Sequence, residues 1–147
     1  MKIRGVNMDI NSLDRFLEAQ EIMYETALKE IKNGKKRSHW MWYIFPQLRG
    51  LGESRMSYVY GINGLEEAKA YLEHPVLSAR LIEITKALVT HKGKDIYKIM
   101  GDIDDMKLQS SMTLFALVSE NDSVFRQVLD FFYNGEEDSN TLQIIKL

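Results

Sequence analysis

The chain contains no cysteine. That excludes a disulfide framework, thiolate metal sites and a cysteine nucleophile in one step. Two prolines, Pro46 and Pro75, are all that interrupt 147 residues, and no Pro- or Ser-rich linker divides them. One domain spanning 1–147 is therefore the expectation. No apolar run approaches the roughly 20 residues that a membrane-spanning helix needs. The first ten residues mix Lys2, Arg4 and Asp9 and lack the apolar centre of a secretion signal, so the cytoplasm is the expected compartment. Internal repeats and alternating segments long enough to nucleate a sheet are also missing.

What is present is helical patterning. Between Ser12 and Asn33, residues Phe16, Met23, Tyr24, Ala27, Leu28 and Ile31 recur at spacings of three and four. They form one face of an amphipathic helix with Asn11 or Ser12 as its cap, closed by Gly34. Gln20 lies on that face, so its amide needs a buried partner or faces a pocket. Ser38 can cap a short turn through Ile44, which Pro46 stops. Further helices are predicted at 65–72, from Pro75 to near Gly93, at 95–100, at 105–118 with Asp102 or Asp104 as cap, and at 121–133. Thr141 to Ile145 reads as a docking turn or a short strand. The fold class is all-α, five to six helices around one core.

The formal net charge is −2, which argues against a dedicated nucleic-acid binder. The distribution is uneven. Residues 1–60 carry ten Lys/Arg against seven Asp/Glu, a balance of +3, and residues 61–147 carry nine against fourteen, a balance of −5. The positive excess centres on Lys29, Lys32, Lys35, Lys36 and Arg37.

Known chemical motifs are few. The histidines are His39, His74 and His91, with no two at metal-ligand spacing, so neither metal nor cofactor is expected. No Gly-x-Ser-x-Gly elbow exists. Gly50-Leu51-Gly52 is too short for a dinucleotide or phosphate-loop fingerprint, though its amides would approach an anion if the loop led into a helix.

The densest stretch runs from Lys35 to Gly52. Aromatic faces, cationic forks and glycines that permit close backbone approach are together what a pocket for a flat anionic ligand uses. On this reading Lys36 and Arg37 hold phosphate, Trp40, Trp42 and Tyr43 stack the base, and Gln20 and His39 orient it. Ser38, Pro46, Gln47, Gly50 and Gly52 complete the ligand-binding set. Rings at helical spacing are more often core, yet His39 to Tyr43 in succession would surround a helical turn, so some must line a cavity or an edge. Asp102, Asp104 and Asp105 followed by Lys107 exceed what a helix cap requires. Asp105 with Lys107 is the candidate catalytic acid–base pair.

The motifs Arg37-Ser38-His39-Trp40-Met41-Trp42, Phe45-Pro46-Gln47, Tyr60-Gly61-Ile62, His74-Pro75-Val76-Leu77 and Lys107-x-x-Ser110-Ser111-Met112-Thr113-Leu114-Phe115 resemble the bacterial domain-of-unknown-function family 1810, over nearly the whole chain. Members of that family are often mislabelled calpastatin. The resemblance implies a compact multihelical fold and no established activity. A fainter similarity, through Ala19-Gln20, Asp104/Asp105 with Lys107 and Met112, and Phe125 to Leu129, is to the NADAR family of ADP-ribose-linked N-glycosidases. The expected function is binding of a small anionic or aromatic ligand such as a nucleotide, ADP-ribose or a phosphorylated sugar, with N-glycoside hydrolysis as the candidate reaction. The rival is a non-enzymatic protein–protein interaction module that uses the Trp-rich turn as its hot spot. A monomer or small homo-oligomer is expected.

Overall fold

The computed structural model describes residues 11–145, together with the backbone of two paired antiparallel strands, β1 (Lys2–Ile3) and β2 (Val6–Asn7). The reading of the first ten residues as lacking a leader's apolar centre otherwise lies outside the described residues. Nine helices follow among the described residues: α1 (Asp14–Lys32), α2 (Met41–Ile44), α3 (Arg55–Val59), α4 (Gly64–Glu73), α5 (Pro75–Val89), α6 (Ile96–Met100), α7 (Asp104–Leu117), α8 (Val124–Tyr133) and α9 (Ser139–Ile145). The all-α expectation holds, but five to six helices is too few. Single-turn helices such as α2 and α3 show too little periodicity to be counted from a sequence. Among the described residues no helix is long and apolar enough to cross a membrane.

The centre of the molecule is α7, where Leu108 and every residue from Ser110 to Ala116 is buried. A helix covered on all sides shows no amphipathic stripe. Helices α4, α6, α8 and α9 pack on it, and α1 packs against α2 and α5. The buried apolar side chains form one cluster, which includes Phe16, Ile31, Trp40, Tyr71, Leu81 and Phe115.

Helix ends depart from expectation in instructive ways. Gly34 does close α1, at φ +75°, the left-handed position that glycine accepts freely. His74 caps α5 by accepting the amides of Val76 and Leu77 on Nδ1. Asp102 and Asp104 do not cap α7. Ile103 is its cap residue, at φ +71°, while Asp102 accepts the Ile103 amide and Asp104 pairs with Lys36. Thr141 to Ile145 is helical, part of α9, with Thr141 buried.

One buried charge ties the front of the molecule together. Arg15 is 1% exposed, and all five guanidinium donors are satisfied. Nη1 and Nη2 grip Glu67 at 3.0 and 2.7 Å. Nε reaches the Val59 carbonyl at 2.7 Å, and the remaining donors reach the carbonyls of Gly61 at 2.9 Å and Ser12 at 2.6 Å. Removing one partner of such a pair strands the other in low dielectric, at roughly 3–5 kcal/mol. Arg15→Ala is expected to destabilise the fold by about that much, measured by urea unfolding; a loss below about 1 kcal/mol would show the clamp to be dispensable.

Candidate functional site

Helix α2 is one turn, so its four side chains point in different directions. Met41, Tyr43 and Ile44 face the core. Trp42 faces the other way, half-buried, across from α7. Lys107 of α7 stands with Nζ 5.6 Å from the Trp42 ring centroid, within cation–π range. Trp42 and Lys107 line a narrow slot together with Met41, Phe45, Gln47, Ser57, Tyr60 and Gly61. Its floor leaves about 10 Å³ for the centre of a water-sized group, and the empty space including its mouth is about 240 Å³.

The loop 47–62 forms the slot's far wall. A parallel bridge joins Leu48 to Ile62 through Ile62 N–H to Gln47 O at 2.9 Å and Arg49 N–H to Ile62 O at 2.8 Å. Gly52 is required for contact: a Cβ there would lie 2.3 Å from Ser57 Oγ. At Gly61 a Cβ would meet the Arg49 Cα at 2.7 Å. Gly52 therefore serves close packing. The loop leads only into the five-residue α3, capped by Ser54, so the expectation of a Gly50–Gly52 phosphate cradle is corrected; Gly50 itself is exposed.

The slot is rich in hydrogen-bond donors. Trp42 Nε1 is buried with no hydrogen-bond partner among the described residues. An indole N–H only donates, and an unpaired buried donor costs about 1–3 kcal/mol. Ser57 Oγ accepts from Ser54 Oγ at 3.0 Å, which leaves its own proton for the slot. Gln47 and Lys107 add further donors, and no carboxylate lines the space. On α7, Ser111 Oγ is likewise buried and unpartnered, one turn beyond Lys107.

Several expected ligand contacts are structural instead. Trp40 is fully buried and its indole donates to Glu30 Oε1 at 3.0 Å, so it has no face for a base. Tyr43 is buried in the core, and Pro46 is buried beside it in sequence. The Gln20 amide donates to the Tyr43 carbonyl and to Tyr71 Oη, both at 2.9 Å, which answers its need for buried partners without a ligand. Lys36 is spent on Asp104 at 2.9 Å, on the Ser38 carbonyl at 2.6 Å and on the Trp40 ring. Ser38 binds Glu30 rather than capping α2. Arg37 and His39 are exposed and lie outside the slot. Of the expected set, Trp42, Gln47 and Lys107 meet there.

The acid–base pair also separates. Residues two apart on a helix point to opposite sides; Lys107 lines the slot and Asp105 does not. Asp105 faces α8 through its carbonyl, which accepts the Tyr133 hydroxyl. Its Oδ1 is buried without a partner. Burial, and then the Asp105 charge, push the Tyr133 phenol upward. Among the described residues no three His, Asp or Glu side chains gather as a metal cage.

Reasoning from sequence missed Glu30, the residue that organises the aromatic turn. Its Oε1 accepts the amides of Arg37 and Ser38 at 2.8 and 2.9 Å and the Trp40 indole, and Oε2 accepts Ser38 Oγ at 2.6 Å. An acid among lysines at a helix end carries no signal that separates it from a solvated one. Ser57 was missed as well; the neighbouring motif Tyr60-Gly61-Ile62 was its available marker.

The model of the family described as protein of unknown function, DUF1810, matches residues 10–145. The chain belongs to that family. A solved structure, the conserved hypothetical protein Rv1873 from Mycobacterium tuberculosis, is similar at 45% identity with a TM-score of 0.90, covering 95% of this chain and 99% of that one. A search of curated proteins returns no match.

Burial works to raise the Glu30 pKa, but the hydrogen bonds from Ser38, the Arg37 amide and Trp40 outweigh it and hold the carboxyl at about 2, against an ordinary 4.5. A depressed acid contributes stability that is fully present above its unfolded pKa and fades as pH falls to the folded one. Glu30→Gln, which turns an amide nitrogen toward donors, is therefore expected to be less stable than the parent at neutral pH. The gap should close between about pH 4.5 and 2. Denaturant unfolding across that range checks this; a gap that does not change with pH refutes it.

Proposed function

We propose that this chain is a small-ligand binding protein and that the Trp42–Lys107 slot receives the anionic group of its ligand. The observation that carries the reading is a buried, unpartnered Trp42 Nε1–H beside the Lys107 ammonium in a slot lined by no carboxylate. A terminal phosphate accepts from both at once. The slot leaves about 10 Å³ for the centre of a water-sized group, room for about one water molecule and far below the roughly 300–1,000 Å³ of a pocket that encloses a drug-sized ligand. The anionic group therefore docks at the mouth with one oxygen entering the slot, and the rest of a nucleotide or phosphorylated sugar lies outside. Hydrolysis of an N-glycoside draws no support from Asp105, which stands off the slot.

One observation favours the second reading, a protein-interaction module. Tyr97, Ile103 and Met106, near the α6–α7 turn, are 52%, 58% and 65% exposed, and exposed apolar side chains close together in the chain suit a partner. Trp40, being core, cannot be its hot spot.

The test is a thermal-shift panel with AMP, ADP-ribose, NAD, ribose 5-phosphate and inorganic phosphate. A ligand at a hundred times its dissociation constant stabilises by about 2.7 kcal/mol, several degrees for a domain of this size. We expect at least one phosphorylated member to raise Tm, Lys107→Ala and Trp42→Phe to cancel the shift, and Asp105→Asn to leave it. A flat panel refutes the ligand reading and favours the partner.

A further inference from the structure

Outside the slot, the largest concentration of charge is basic. Thr26, Lys29 and Glu30 of α1 with Asn33 at its C-terminal cap form one wall of an open groove of about 380 Å³, and Lys35 and Arg37 form the other. Seven helical rises, from Thr26 to Asn33, measure about 10 Å, more than one phosphate spans. The Lys29, Lys35 and Arg37 side chains are exposed, and all sit on rigid backbone. Glu30 pins the 37–38 amides to α1, and Gly34 turns against the His91 ring, which a Cβ would approach at 3.3 Å.

More cations reach the same end of the molecule. His91 Nε2–H donates to the Ile31 carbonyl at 2.8 Å and Lys36 N–H to the Ile99 carbonyl at 2.8 Å. These two bonds seat the 91–99 segment at the end of α1, with exposed Lys94 placing its Nζ 3.4 Å from His91 Nδ1, while the Lys92 ammonium lies over the Phe131 ring of α8. The acids nearby are engaged. Asp95 accepts the Tyr97 amide, Asp102 the Ile103 amide, Asp104 holds Lys36, and Glu30 accepts four hydrogen bonds. The groove itself carries Lys29, Lys35 and Arg37 against the single carboxylate of Glu30, a balance of +2 in a chain whose net charge is −2.

We infer that the groove between α1 and the 35–38 loop binds a linear phosphate chain, the backbone of a single nucleic-acid strand or of inorganic polyphosphate. Arg37 supplies a planar fork and Lys29 and Lys35 supply point charges on opposite walls. Thr26 and Asn33 add the neutral donors that commonly accompany phosphate contacts. Every lining side chain is polar or charged, so the groove offers no apolar seat for the anchors of an acidic peptide. It shares no lining residue with the Trp42–Lys107 slot, and the inference stands independently of the function proposed there.

Fluorescence anisotropy with a labelled oligo-dT of about 20 nucleotides tests this on the full chain, with polyphosphate and poly-glutamate of similar charge as competitors. Three neutralised phosphates on a single strand, one per groove cation, predict a roughly 20-fold loss of affinity between about 50 and 200 mM salt. The triple variant Lys29→Gln, Lys35→Gln, Arg37→Gln should lose binding while keeping its helical circular dichroism and Tm. Lys94→Gln should weaken it partly, and Lys107→Ala should leave it unchanged. Binding of oligo-dT supports a nucleic-acid strand, and binding of polyphosphate alone supports the inorganic chain. No binding of either, equal competition by poly-glutamate, or undiminished binding in the folded triple variant overturns the inference.

Discussion

The site depends on a buried guanidinium. Arg15 reaches from the first turn of α1 to the end of α3, to the turn before α4 and to Glu67 within α4. Moving that charge out of water is expensive, and the cost is met only because all five N–H groups find oxygens of fixed position. Two of those oxygens belong to Val59 and Gly61, on either side of Tyr60, and Tyr60 and Gly61 line the slot. The same contacts that satisfy Arg15 therefore set where one slot wall stands. Glycine at 61 lets Arg49 pass close behind it.

Glu30 does for the opposite wall what Arg15 does for this one. A single carboxylate collects two backbone amides, a hydroxyl and an indole, and turns the chain from α1 into α2. That turn buries Trp40 and leaves Trp42 on the outside of a four-residue helix. Lys36 then bridges from Trp40 to Asp104 at the start of α7, which fixes the helix that carries Lys107. The slot is thus assembled by polar contacts between long-separated segments, each satisfied in the interior, and among the described residues Trp42 Nε1 on its wall is left without a hydrogen-bond partner. That contrast separates the polar atoms that hold the fold from those available to a ligand.

Charge is segregated along the same lines. Near the α1 end the carboxylates of Glu30 and Asp104 keep their charge but are held inward by amides, a hydroxyl, an indole and one lysine, while Lys29, Lys35 and Arg37 remain exposed. A nearly neutral chain consequently presents a basic groove on one side of the 35–40 turn and a donor-lined slot on the other.

Much of the helical architecture was legible in the residues alone. The face from Phe16 to Ile31 repeats at helical spacing, Gly34 and Pro75 mark real boundaries, and five consecutive large side chains in a turn force at least one outward. Gln20 announced its need for buried partners by its place in an apolar stripe. These are local properties, decided by 3.6-residue geometry and by which groups tolerate burial. What tertiary structure alone decided was which ring went in and which cation stayed free. Trp40 and Trp42 are chemically identical, and their fates differ because Glu30 accepts one indole and Lys107 lies over the other. Asp104 and Asp105 differ by one helical step of about 100°, enough to give one to Lys36 and the other to the α8 side. Partner choice across long stretches of chain carries no periodic signature, so it becomes visible only once the segments meet.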